Sequence, residues 1–237
     1  MTELIKADIV SESMKDTIVN GDLSFIGDLG EVALDTIIDN NILREIPIIG
    51  TIVGVGKCIG TVSNLIFANK LRSFIFPIKE TTQEERENAI MKWEADSKYR
   101  MHVGETLLGM INRCDNSLKA EWLSKLFYQM ILKWQKSSLF MRSEKILSAL
   151  SVMDVQSFLA LPANSISYIL EEECEPFYGS GLYGSPQIEN IGDGVVDLSK
   201  RKCHITECGY WIYSILNDMD LNVPYSQALF DMPEREL

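Results

Sequence analysis

Apolar residues recur along this chain mostly at helical spacing, and one long stretch departs from that pattern. Leu4, Ile5, Ile9, Met14 and Ile18 lie among Glu, Lys and Asp and predict a helix over residues 2–20, stopped by Asn20-Gly21. Leu29, Val32, Ala33, Ile37 and Ile38 give a second apolar face. Then the polar interleaving stops. IPIIGTIVGVGKCIGTVSNLIFANKLRSFIFPI, from Ile46 to Ile78, carries four glycines, and Lys57 is the single charge between Ile46 and Ala68. Gly50 with Gly54, and Gly56 with Gly60, repeat a spacing of four that lets helices approach closely. This predicts a helical hairpin turning near Gly54–Gly60.

Beyond it the helical pattern resumes. Thr82-Gln-Glu-Glu85 has the form of a capping box. It should open a polar helix running to about Cys114, with Gly104 and Gly109 as weak interruptions. Leu118 to Trp134 is the clearest amphipathic helix, built on Leu118, Trp122, Leu123, Leu126, Phe127, Met130 and Ile131. Shorter helices are expected from Ser143, over Val152–Leu161 and over Ser165–Glu173. Five glycines between Phe177 and Gly194 mark a loop. Gly194–Leu198 and Cys203–Thr206 read as strands joined by a turn at Ser199–Lys202. Thr206 should cap a last helix whose apolar residues are Tyr210, Trp211, Ile215 and Leu216.

Charge sharpens this outline. The net charge of the 237 residues is −12, which speaks against a duplex-binding surface, so no nucleic acid is expected as a partner. The acid is unevenly placed. Met1–Glu45 holds ten acids against three bases, and Ile46–Lys79 holds four bases and no acid. An acidic arm folded over a basic-edged apolar segment is the expected arrangement. Five scattered cysteines do not form a disulfide framework, and no secretory signal opens the chain, so a cytoplasmic location is expected.

The candidate chemistry is sparse. Gly54-Val-Gly-Lys57 suggests a phosphate loop, but the motif G-x-x-x-x-G-K-[ST] would need glycine at Thr51 and a hydroxyl at Cys58. Cys203, His204 and Cys208 fall short of the four ligands of structural zinc. The acidic run Glu171–Glu173 with Glu175 reads as a solvated helix end, and Lys119, Lys125, Lys133 and Lys136 as a basic surface. Neither histidine accompanies a nucleophile motif. No catalytic residue, metal ligand or cofactor site is expected.

The apolar segment is thus the candidate functional element. Its residues for membrane or partner contact are Ile48, Ile49, Ile52, Val53, Val55 and Lys57, then Ile59, Leu65, Ile66, Phe67, Lys70 and Arg72. Ile46–Ala68 has the roughly 20 residues of a membrane span. Lys57 would cost about 2.5–3.5 kcal/mol at the bilayer centre.

The order of the IPIIG block, an EER-containing helix, the KAEWLSKLF helix and a hairpin ending HITECGYWI resembles a diffuse group of uncharacterised bacterial proteins, some of them similar to abortive-infection or phage-defence proteins. The closing Thr206-Glu-Cys-Gly209 also resembles the end of a winged helix. The expected fold is therefore mainly α: a helical bundle with a central hydrophobic helical hairpin and a small C-terminal α/β, winged-helix-like module. Two domains are expected, residues 1–80 and 81–237, with the module at about 140–222. The function the resemblance implies is a non-enzymatic bacterial defence effector or accessory, peripheral to the inner face of the cell membrane and acting through membrane association and protein contacts. The alternative is a regulatory or scaffold protein with the segment buried as core. A protein partner or a homo-oligomer is expected.

Overall fold

The computed structural model describes residues 3–21, 47–55, 62–95, 102–133, 137–177, 179–190 and 196–219. The fold is mainly α. The first unit, residues 1–140, contains α1 (Glu3–Asn20), α2 (Pro47–Val55), α3 (Val62–Ile78), α4 (Gln83–Ala95), α5 (Val103–Arg113) and α6 (Ser117–Lys133). The second, residues 141–237, contains most of α7 (Ser137–Ala149), then α8 (Val152–Leu159), β1 (Tyr168–Leu170), β2 (Gln187–Asn190), β3 (Val196–His204) and α9 (Glu207–Leu216).

The boundary falls after Phe140, and not at residue 80 where the sequence pattern places one. The reason is the pairing of α3 with α6, the most extensive in the first unit. Asn69 Nδ2 donates to Ser117 Oγ at 2.7 Å, and the Ser124 hydroxyl donates to the Phe74 carbonyl. The two helices therefore run in parallel, and the apolar segment cannot be separated from the bundle. Phe74, Trp93, Phe127 and Phe140 fill the core with ring centroids 5.5–6.1 Å apart. Offset and edge-on aromatic pairs at such distances contribute about 0.5–1.5 kcal/mol each beyond burial.

Both helices of the expected hairpin form, as α2 and α3, and the turn expected near Gly54–Gly60 falls mostly on residues 56–61, outside the described residues. α2 packs on α1, and α3 packs on α6 and α5. Of the arm, the described helix α1 lies on α2 and meets it through hydroxyls, and its Met14 and Ile18 are fully buried. Ser13 Oγ and Thr51 Oγ1 share a hydrogen bond of 2.7 Å, and Thr17 Oγ1 accepts from the Ile48 amide at 2.9 Å. That amide belongs to the first turn of α2, where no intrahelical acceptor exists, so α1 caps the helix it covers.

The long helix expected from Thr82 to Cys114 does not form. His102 has an extended backbone (φ −57°, ψ 122°) and α5 starts anew after it. The capping box forms as read: the Thr82 amide donates to Glu85 Oε2 at 2.7 Å, and the Glu85 amide to Thr82 Oγ1 at 3.2 Å. Arg86 is buried and ties the turn down. Its Nη1 donates to the Thr81 carbonyl at 2.6 Å, and its Nη2 to the Gly21 carbonyl at 3.4 Å.

In the second unit the sheet is antiparallel in the order β1-β3-β2. Tyr168 pairs with His204, Ile169 with Cys203 and Leu170 with Lys202. The helix expected over Ser165–Glu173 is thus a three-residue strand followed by a 3-10 helix, Glu171–Phe177. Pairing with β3 overrides the local helical pattern. Ser199–Lys202 is not a turn but the middle of β3, whose other neighbour is Gln187–Asn190. Between β1 and β2 the described residues hold a 3-10 helix and irregular loop, and no α-helix.

Phe158, Phe177, Tyr183 and Tyr213 form the aromatic centre of this unit, at 5.6–6.0 Å. Thr206 caps α9 by accepting from the Gly209 amide at 3.0 Å, as its position predicts. Its hydroxyl also donates to the Gly181 carbonyl at 2.6 Å. Gly209 is required there, since a Cβ would sit 2.2 Å from the Leu182 carbonyl oxygen.

Candidate functional site

The two faces of α3 divide cleanly. Leu71, Phe74, Ile75 and Ile78 follow the i, i+3, i+4, i+7 spacing of one helical stripe and are fully buried. The complementary positions Arg72, Ser73, Phe76 and Pro77 line an open groove of about 430 Å³, closed on its other side by Glu121 and Lys125 of α6. Its walls combine an aromatic ring, a proline and three charges. This mixture of apolar wall and a few polar groups is typical of binding clefts, which occupy roughly 300–1,000 Å³.

Helical periodicity builds both walls. Glu121 and Lys125 are four apart on α6, and their charges meet at 3.7 Å. Both side chains are partly exposed, at 43% and 33%, so the pair is worth only about 0–1 kcal/mol. Lys79 holds its ammonium 4.1 Å from the centre of the Phe76 ring. Pro77 has no amide to give the Ser73 carbonyl, so that carbonyl has lost its intrahelical i+4 donor. Among the described residues, the charged side chains lining the groove are Arg72, Lys125 and Glu121.

The residues expected for membrane or partner contact are scattered by the fold. Ile48 and Ile49 are buried at the start of α2. Ile52, Val53 and Val55 belong to α2, and Leu65 to α3, with side chains beyond the described residues, as are Lys57 and Ile59 altogether. Ile66 is 49% exposed and Phe67 half-buried. Lys70 is buried, with Nζ 3.4 Å from the Asn112 carbonyl at the end of α5. Among those with described side chains, only Arg72 lines the groove. Among the described residues, no helix is long and apolar enough to cross a membrane.

The expected basic surface of α6 is corrected at Lys119. This side chain is 1% exposed, and its ammonium pairs with Asp115 one turn earlier. Of the two whose side chains are described, Lys125 brings its charge to the groove and Lys119 does not; the side chain of Lys133 and all of Lys136 lie outside the described residues. Ser73, Phe76, Pro77 and Glu121 were not singled out by sequence reasoning. Their signals are weak: a proline late in a helix and an i,i+4 charge pair.

The other motifs take ordinary structural places. Glu171 is exposed and 3.4 Å from Arg201, and Glu173 accepts from the Leu170 amide. Cys203 is buried, while the exposed His204 ring lies against Tyr168. Burial and a hydrogen bond with Cys203 push the Cys174 thiol up to about 12. Among the described residues, no group of three His, Cys, Asp or Glu side chains could hold a metal ion. No protein-family model, curated protein or solved structure matches the chain.

Proposed function

We propose that this protein works by binding a partner protein, without catalysis, as a regulatory or scaffold component. The Ile46–Ile78 segment serves as the frame of the first unit, and the α3–α6 groove is the contacting surface. The observation that carries this reading is the division of α3: Leu71, Phe74, Ile75 and Ile78 face the core, and Arg72, Ser73, Phe76 and Pro77 face a concave surface. A helix fixed by one face presents the other with little loss of conformational freedom on binding. The test places a photoreactive benzoyl-phenylalanine at Ser73 in cells and identifies the crosslinked peptide by mass spectrometry. A partner peptide whose capture Lys125→Glu abolishes supports the reading. No crosslink to another protein, or a crosslink only to lipid, sinks it.

A second reading rests on Ile66, which is 49% exposed beside the half-buried Phe67. In it the first turns of α3 lie against a membrane surface. Vesicles of phosphatidylglycerol decide: flotation with them, lost in Ile66→Glu, favours this reading, and no flotation removes it. In the setting that the resemblance implies, either activity belongs to a bacterial defence accessory. Deleting the protein should then raise phage plaque counts, and unchanged counts would remove that setting.

A further inference from the structure

We infer that the Asn20–Gly21 peptide is a site of self-modification, a deamidation centre that the folded protein keeps latent and that opening of the end of α1 releases. It is the one Asn-Gly pair in the sequence. Glycine suits the chemistry, because the residue that supplies the attacking nitrogen carries no side chain to block the approach. In the reaction the Gly21 nitrogen, its proton taken by hydroxide, attacks Asn20 Cγ. The N–Cγ bond forms, the Cγ–Nδ2 bond breaks, and Nδ2 leaves as ammonia with a proton from water. Water then opens the cyclic imide. Opening at Cγ leaves aspartate, and opening at the main-chain carbonyl carbon leaves isoaspartate, with the chain running through the former side chain.

The fold restrains both reacting groups. The Gly21 N–H donates to the Asp16 and Thr17 carbonyls, at 3.1 and 3.2 Å. An amide bonded in this way releases its proton only when the bond opens. On the other side, Asn20 Nδ2 donates to Asp16 Oδ1 at 2.8 Å, and Asn20 Oδ1 accepts from Gln83 Nε2 at 3.3 Å. Rotation of the carboxamide is thus opposed from both ends. The Gly21 carbonyl accepts from Arg86 Nη2 at 3.4 Å, and Gly21 and Arg86 are both buried. Asn20 itself is exposed, so hydroxide and water have access once these bonds open.

The change is one-way because its products do not fit the place that Asn20 leaves. Either product puts a negative charge on the last residue of α1, at the negative end of the helix dipole. That charge stands one turn from Asp16, where like charges repel, and a carboxylate cannot donate to Asp16 as Asn20 does. Isoaspartate also adds a methylene to the main chain. This moves the Gly21 carbonyl relative to Arg86 and takes an acceptor from a buried guanidinium. Thr17, one turn before Gly21, caps α2 through the Ile48 amide. Deamidation therefore makes permanent a loosening of α1 from the apolar helix it covers, whatever the α3–α6 groove binds.

The experiment incubates the full chain at mildly alkaline pH, in buffer and in urea. Peptide mass spectrometry follows the conversion of Asn20, and isoaspartyl methyltransferase with labelled S-adenosylmethionine measures isoaspartate. Asn20 should convert in urea, and about ten-fold or more slowly in buffer, since the reaction waits for local opening. Asp16→Ala and Gln83→Ala, both at exposed positions, should raise the rate in buffer about three-fold, as the loss of one hydrogen bond allows, and leave the rate in urea unchanged. Chains modified in urea and returned to buffer should unfold at a lower denaturant midpoint than the parent, as should Asn20→Asp. Equal rates in buffer and urea, no conversion in urea, a rate in buffer indifferent to both substitutions, or modified chains that regain the parent's midpoint would each overturn the inference. The parent's own ratio of rates keeps the test valid even if a variant fails to fold.

Discussion

A Cβ built on Gly104 would lie 1.9 Å from the carbonyl oxygen of Ser11. The backbone of α5 thus meets that of α1 with no room for a methyl group, and Val103 and Leu107 are buried around that contact. Gly104→Ala must push the two helices apart. It should cost about 1–3 kcal/mol, as overpacking does. Gly109 provides the contrast, since the nearest atom to its Cβ would be Arg113 Nη1 at 3.5 Å, an ordinary van der Waals contact. Gly109→Ala should leave stability unchanged or raise it by up to about 1 kcal/mol through helix propensity. Urea midpoints of the two variants check this, and a Gly104→Ala protein as stable as the parent would contradict the close approach.

Thr17 holds the first turn of α2 through its acceptor oxygen, 2.9 Å from the Ile48 amide, while donating to the Ser13 carbonyl at 2.8 Å. Thr17→Val keeps the shape and removes both bonds. A loss of about 1–2 kcal/mol is expected, because among the described residues Thr17 is the acceptor that the buried Ile48 amide uses. Thr17→Ser should retain most of the stability. Equal denaturation midpoints for the Val and Ser variants would refute the capping role.

Glu85 carries a pH signature. The Thr82 amide and then the Thr82 hydroxyl, both donating to its carboxylate, hold its pKa below the ordinary value, outweighing the small opposing effect of burial. A carboxyl lowered on folding stabilises above its unfolded value near 4.3 and loses that contribution as pH falls through the folded value. Thermal melts between neutral and acidic pH should therefore show a drop that Glu85→Gln removes in part. A pH profile identical in parent and variant would refute this.

Lys119 is buried beside a largely exposed Asp115. Removing the acid strands a charge, whereas removing the lysine leaves Asp115 in water. Asp115→Ala should accordingly destabilise more than Lys119→Met, by about 1–3 kcal/mol. The order of the two denaturation midpoints is the readout.

Cys174 should be inert in the native protein. A thiol raised to about 12 is ionised to only about one part in ten thousand at pH 8, and Cys174 is also closed to solvent. Iodoacetamide should label it only in urea, as followed by peptide mass spectrometry. Native labelling at the unfolded rate would show that the site opens.

Much of the helical content is local information, and it was legible. The Thr82/Glu85 box and the Thr206 cap depend on groups three residues apart, so their spelling in the sequence is their geometry. The amphipathic run Leu118–Trp134 appears as Ser117–Lys133 for the same reason: its stripe is a property of one helix. The Ser151/Asp154 box lies within the same reach and was simply unread.

What the chain could not declare by itself lies between elements. Nothing near Leu71–Ile78 says that α6, some 50 residues later, will run alongside it, so the groove joining Arg72 and Phe76 to Glu121 and Lys125 was invisible. Tyr168–Leu170 became a strand because His204, Cys203 and Lys202 offered it hydrogen bonds. Lys119 read as surface until burial placed it inside. The sequence alone determined a mainly helical chain, its caps and the apolar segment, because short-range periodicity and hydrogen bonding act within a few residues. Tertiary structure alone decided which face of that segment became core and which a groove. That choice depends on the packing of surfaces distant in sequence, and no local pattern encodes it.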